Sequence, residues 1–254
     1  GTMHVSERIA FHLSDVFFEK LLSTDKVALE SNPETWLDEI QNSPEEMGFG
    51  MENYGYYQFY SSFQRSPIQN EILKQSFLFN DFMLNGILYR TNDFYNDYQE
   101  DTYLDMFIYQ VGKRTNRPIV NLEGLKESRQ LVEKAYLSNM RFDPPAWAKK
   151  MMKDKPFPVL LEDAYRDKNL DMIDSLNRGL NSPDYNRFML YERKANMVRR
   201  MDSIFQKGET LFVGIGAAHL PGQGGVIEML REKGYEVNPI LGDYTKKDAK
   251  KKTV

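Results

Sequence analysis

Four side chains of this sequence have the types and positions to do chemistry together. His4 ends Gly1-Thr2-Met3-His4, and His219 ends Gly216-Ala217-Ala218-His219, so the same GxxH pattern occurs near both ends of the chain. Glu30 closes the run VALE and Glu123 closes PIVNLE. Each run is short and apolar, as a buried strand should be, and each acid comes where that strand would end. In a parallel sheet, strand ends of one polarity converge on one edge, where open α/β sheets bind ligands. Two imidazoles with a carboxylate make a sensible donor set for a divalent ion. A bound ion would lower the pKa of a water and polarise a carbonyl, with a second carboxylate taking the water's proton.

Those residues need a frame. Strand-like runs fall at Val27–Glu30, Pro118–Glu123, Leu211–Ile215 and Tyr235–Ile240. Helical periodicity covers Glu7–Leu22, Ile68–Leu88, Tyr103–Val111, Leu125–Leu137 and a long stretch from Tyr185 to Phe205. Strands separated by helices predict an α/β fold: a mostly parallel central sheet with flanking helices. Residues 40–110 and 140–205 read as helical insertions, or a cap, within a single domain over 1–242; the polar, basic stretch 243–254 reads as a solvated tail.

Composition removes several classes. The chain of 254 residues is 41% hydrophobic, enough to bury a core. Its net charge of −4 gives no bulk attraction for nucleic acid. It has no cysteine, which excludes thiolate metal sites and cysteine nucleophiles. No apolar run reaches the ~20 residues a membrane helix needs, so membrane attachment is expected only through an anchor upstream of Gly1. No nucleophile-elbow serine motif is present, which argues against serine hydrolysis.

Other motifs have plainer readings. Gly214-x-Gly216-x-x-His219 approaches a dinucleotide fingerprint, but its third glycine, needed for close helix–strand packing, is a histidine. His12 lies inside the first helical pattern and reads as structural. The aromatic segment 51–64, MENYGYYQFYSSFQ, reads as an amphipathic part of the cap, or else as the lining of a groove for an extended peptide or flat ligand.

The paired GxxH motifs, together with VALE, NLEG, Tyr191-Glu192-Arg193 and the block GAAHLPGQGGVIEMLREKGYEV, resemble the TraB/GumN family of the Tiki superfamily, which has ChaN-like and erythromycin-esterase-like relatives. The likeness runs from residue 1 to about residue 240, and the C-terminal block is its specific part. It implies a ChaN/Tiki-like parallel-sheet core with helical additions. It also implies His4, Glu30 and His219 as metal ligands, and Glu123 as a further ligand or the base. Arg193 would be an anion or transition-state partner, or else a salt bridge clamping its helix. The chain departs from the pattern at Lys194, where bacterial members usually carry Asn, and at Ser128, where a glutamine often follows the NLEG motif.

The resemblance therefore implies a metal-dependent hydrolase, a peptidase, acting on a peptide or a small ester or amide. The divalent cofactor would be Mn, Co, Zn or Fe, and no nucleic-acid partner is expected. A metal-free His/Glu hydrolase and a haem-binding protein are the alternatives. Family likeness also leads us to expect an exported, periplasmic or envelope-associated protein.

Overall fold

The computed structural model describes residues 1–3, 13–32 and 104–240. His4, His12, the periodicity at Ile68–Leu88, the aromatic segment 51–64, most of the first insertion and the tail 243–254 lie outside the described residues.

Three strands form a parallel sheet: β1 (Lys26–Leu29), β2 (Ile119–Asn121) and β3 (Leu211–Gly214), in the order β2-β1-β3. β1 is central, with Leu29 opposite Asn121 on one side and Gly214 on the other. Its side chains alternate between two cores, as the two-residue period of a strand requires. Val27 and Leu29 pack with Leu21, Leu104 and Ile108, from helices α1 (Asp15–Ser23) and α2 (Leu104–Arg114). Ala28 packs on the other face with Met197, Val198, Met201 and Val226. Those residues belong to the helices Arg193–Phe205 and Val226–Glu232. Both faces are therefore covered, which is why β1 reads as an unbroken apolar run rather than an alternating one.

Between β2 and β3 the chain is helical, as expected: Leu125–Asn139, Ala146–Asp154, Phe157–Arg166, Leu170–Leu180 and Pro183–Asn186, then Arg187–Glu192 and Arg193–Phe205. Side-chain caps set two of these starts. Asn169 Oδ1 accepts from the Met172 amide at 2.9 Å, and Ser182 Oγ accepts from the Tyr185 amide at 3.0 Å, with Pro183 at the first helical position. The long helical stretch from Tyr185 to Phe205 is unbroken but not of one type, because Arg187–Glu192 forms a π-helix. A π segment holds an extra residue per turn and re-aims everything that follows, here Arg193.

Two expectations need correction. The helical pattern expected over Glu7–Leu22 does not include Leu13 and Ser14, the latter extended; the described helix spans Asp15–Ser23. Tyr235–Ile240 is not a strand: it pairs with no described strand, and most of it is exposed. Asn238-Pro239 interrupts that run, and proline lacks the N–H a ladder needs. Among the described residues, no helix is long and apolar enough to cross a membrane.

Candidate functional site

All three strands end at the same edge, and backbone pairing continues beyond them. The Leu122 amide donates to the Leu29 carbonyl at 2.8 Å, and the Glu123 amide to the Glu30 carbonyl at 2.7 Å, so the two glutamates are registered side by side. Beyond β3, the Thr2 amide donates to the Ile215 carbonyl, and the Ala217 amide to the Thr2 carbonyl, both at 2.7 Å. This single parallel bridge, Thr2 to Gly216, lays the two GxxH segments against each other at the sheet edge. Met3 is buried in the core with Leu21 and Val27. His4 itself lies outside the described residues.

Arg193 ties the strand ends together. Its Nη2 donates to Glu123 Oε2 at 2.6 Å and to Glu30 Oε2 at 2.7 Å, and its Nε donates to Glu123 Oε1 at 2.8 Å. Its Nη1 faces the Met189 carbonyl at 3.4 Å, inside the preceding π turn. The fork geometry of guanidinium suits this two-carboxylate grip, and Lys would not reproduce it. Side-chain exposure is 4% for Arg193, 2% for Glu123 and 13% for Glu30, so the grip is sealed at Glu123 and open at Glu30. Burial pushes the Glu123 carboxyl above the usual carboxylate range, against the opposing pull of Arg193.

Glu30 is the junction of the site. While Oε2 accepts from Arg193, Oε1 accepts from the Gly216 amide at 2.6 Å and lies 3.6 Å from His219 Nε2. His219 is buried and ends a 3₁₀ turn, Ala217–His219, whose backbone closes through the His219 amide to the Gly216 carbonyl at 2.9 Å. Gly216, the first residue of the second GxxH motif, thus both starts that turn and fixes the carboxylate beside it.

A separation of 3.6 Å exceeds a hydrogen bond, yet two donors each ~2.0–2.2 Å from one ion stand about that far apart. Glu30 Oε1 and His219 Nε2 therefore fit as a ligand pair. Glu123 fits less well, since both its oxygens face Arg193. Among the described residues, no cluster of three or more His, Asp or Glu surrounds one point.

Strand-end position brought Glu30, Glu123 and His219 into view and the family resemblance added Arg193, and the structure gathers all four. Sequence reading missed the supports. Arg200 donates to Glu127 Oε2 at 2.9 Å and to the Leu122 carbonyl, the residue before Glu123. Asn196 Nδ2 donates to Glu127 Oε1 at 2.5 Å. The helix after NLEG is thus held through Glu127, one residue before the Ser128 that departs from the usual pattern. The helical spacing of Arg193, Asn196 and Arg200 was the available signal, because residues three and four apart share a face.

The model of the TraB/PrgY/gumN family matches residues 1–239, which include both GxxH motifs and both glutamates. The chain belongs to the TraB/PrgY/gumN family. No curated protein and no solved structure matches it. The family's span covers every residue of the Arg193 cluster.

Proposed function

We propose that this TraB/PrgY/gumN member is a metal-dependent hydrolase that cuts amide bonds in peptides. The observation that carries the reading is Glu30, whose two oxygens are divided between Arg193 on one side and the His219 and Gly216 side on the other. His219, Glu30 and, by the motif pairing, His4 would hold a divalent ion. When bound, such an ion supplies an ionised water near neutral pH and polarises the scissile carbonyl.

The chain's own residues do the rest. Arg193 is a positioning residue: by holding Oε2 it turns Oε1 of Glu30 toward His219. With Glu30 given to the ion, Glu123, which shares the Arg193 guanidinium, is the second carboxylate that would take one proton from the attacking water and return it to the leaving amine. The π turn at Arg187–Glu192 fixes the angle at which Arg193 reaches the strand ends.

The same His219–Glu30 juxtaposition favours a second reading, in which His219 is the general base and Glu30 orients it, without metal. Chelation separates the two. A pool of unstructured peptides incubated with the protein should be cleaved, cleavage should stop in chelator, and Mn, Co, Zn or Fe should restore it. Cleavage that persists through exhaustive chelation supports the metal-free reading. No cleavage with any of these metals sinks both.

A further inference from the structure

Three large apolar side chains lie open at one corner of the helical region between β2 and β3. Leu137 is 63% exposed, Met140 79% and Trp147 46%. Leu137 and Met140 stand three residues apart at the end of the helix Leu125–Asn139, so they share a face. Asn139 fastens that end to the close of the helix Leu170–Leu180. Its Nδ2 donates to Asn181 Oδ1 at 3.0 Å, and its Oδ1 accepts from the Ser182 amide at 2.7 Å. Trp147, from the helix Ala146–Asp154, lies against the same end, where a Cβ on Gly179 would come within 2.1 Å of its ring. Apolar residues scattered singly over a surface are ordinary, but a group of them marks a contact face.

Cations surround the group. Residues 140–155 hold Arg141, Lys149, Lys150, Lys153 and Lys155 against Asp143 and Asp154, a balance of +3 in a chain of net charge −4. Lys149 is engaged by Asp143 at 2.5 Å, and Lys155 by Asp163 at 2.6 Å. Arg141, Lys150 and Lys153 are exposed and form no ion pair with a described residue. Lys150 follows Trp147 by three residues and Lys153 follows Lys150 by three, so the indole and both ammonium groups line one side of their helix. Ala148, on the other side, is buried. None of these residues belongs to the Arg193 cluster.

We propose that this corner is a docking surface for an anionic lipid bilayer. Leu137 and Met140 enter the headgroup boundary, and the three unpaired cations meet lipid phosphates. An indole has an apolar body and a polar N–H, which suits that depth, and lysine stems carry their charge past apolar surface. A soluble acidic partner would use the cations and leave Leu137 and Met140 bare. A wholly apolar partner would leave the charges unmatched. An anionic bilayer satisfies both sets together. The contact is peripheral and needs neither a metal nor turnover.

Co-sedimentation of the full chain with vesicles tests this. One set is phosphatidylcholine alone, and the other mixes phosphatidylcholine with phosphatidylglycerol, two to one. The chain should bind the mixed vesicles at least about tenfold tighter, since each cation near an anionic surface contributes about fivefold, and binding should fall as salt rises. Lys150→Gln with Lys153→Gln should weaken mixed-vesicle binding more than about tenfold. Leu137→Ser with Met140→Ser, both at exposed positions, should weaken it at every salt concentration, with circular dichroism unchanged. Equal binding to the two sets, no binding to either, or mixed-vesicle binding that survives either double variant overturns the proposal. Retention on polyglutamate resin in place of vesicles identifies a soluble acidic partner and overturns it as well.

Discussion

Arg193 Nη2 lies 2.7 Å from Glu30 Oε2 and 2.6 Å from Glu123 Oε2, so one nitrogen of one guanidinium joins the ends of two neighbouring strands. Glu123 stands in the sealed half of this arrangement and Glu30 in the half that faces His219. The consequences for stability and for chemistry therefore separate.

Arg193→Met leaves Glu123 buried without its cation. Breaking a buried pair from one side costs about 3–5 kcal/mol, and urea unfolding followed by circular dichroism should register a loss of that order. Replacing Arg193 and Glu123 together by Met should recover most of it, because a buried pair exchanged for apolar groups is often neutral. If the double replacement is stable yet inactive, the Arg193–Glu123 pair serves the site and not merely the fold.

The Arg200–Glu127 pair makes the contrast. Both side chains are about one-third exposed, so solvent screens them. Glu127→Ala should cost less than about 1 kcal/mol by the same unfolding measurement. A loss as large as that of Arg193→Met would mean that the Leu122 carbonyl contact, not the strand-end grip, anchors this helix.

Gly225 has no room for a side chain. A Cβ there would meet the Pro221 carbonyl oxygen at 2.3 Å and the Leu220 carbonyl oxygen at 2.5 Å, and backbone cannot step aside as a side chain can. Gly225→Ala should therefore destabilise by about 1–3 kcal/mol and shift the loop that begins at His219. Thermal unfolding checks the first effect, and the imidazole resonances of His219 check the second.

Lys194 predicts a stability change on the alkaline side. Its amine is held down to about 8 in the folded chain, against an ordinary 10.5. Between those values the unfolded chain binds the proton and the folded chain does not, so stability rises with pH. Below the lower value both states are protonated and the cost of the buried charge is present in full. Denaturation across that window should show the rise in the wild type and its absence in Lys194→Met. A flat wild-type profile would place the ammonium in contact with water.

The strands and the strand-end residues were legible because each depends on local pattern. VALE and LFVGI are apolar runs of strand length, and the acid or glycine that follows each marks its end. Glu30 and Glu123 could be found at those ends, but nothing local says that Arg193 joins them. That contact depends on the π turn at Arg187–Glu192, whose extra residue leaves no distinct hydrophobic period. Tyr235–Ile240 failed for the opposite reason: its alternation is strand-like, but a strand exists only with a partner, and partnership is not a local property. Lys194 was visible only as a departure from the family pattern, and its burial is a property of the fold that no local pattern announces.

On the proposed reading, Glu30 and His219 hold one metal ion between them. Elemental analysis of the full chain, loaded with Mn, Co, Zn or Fe and desalted, tests it beside His219→Ala and Glu30→Gln prepared identically. The account predicts about one bound equivalent in the wild type, lost in both variants while circular dichroism stays unchanged. A wild type that retains no metal, or variants that retain it in full, would contradict the account.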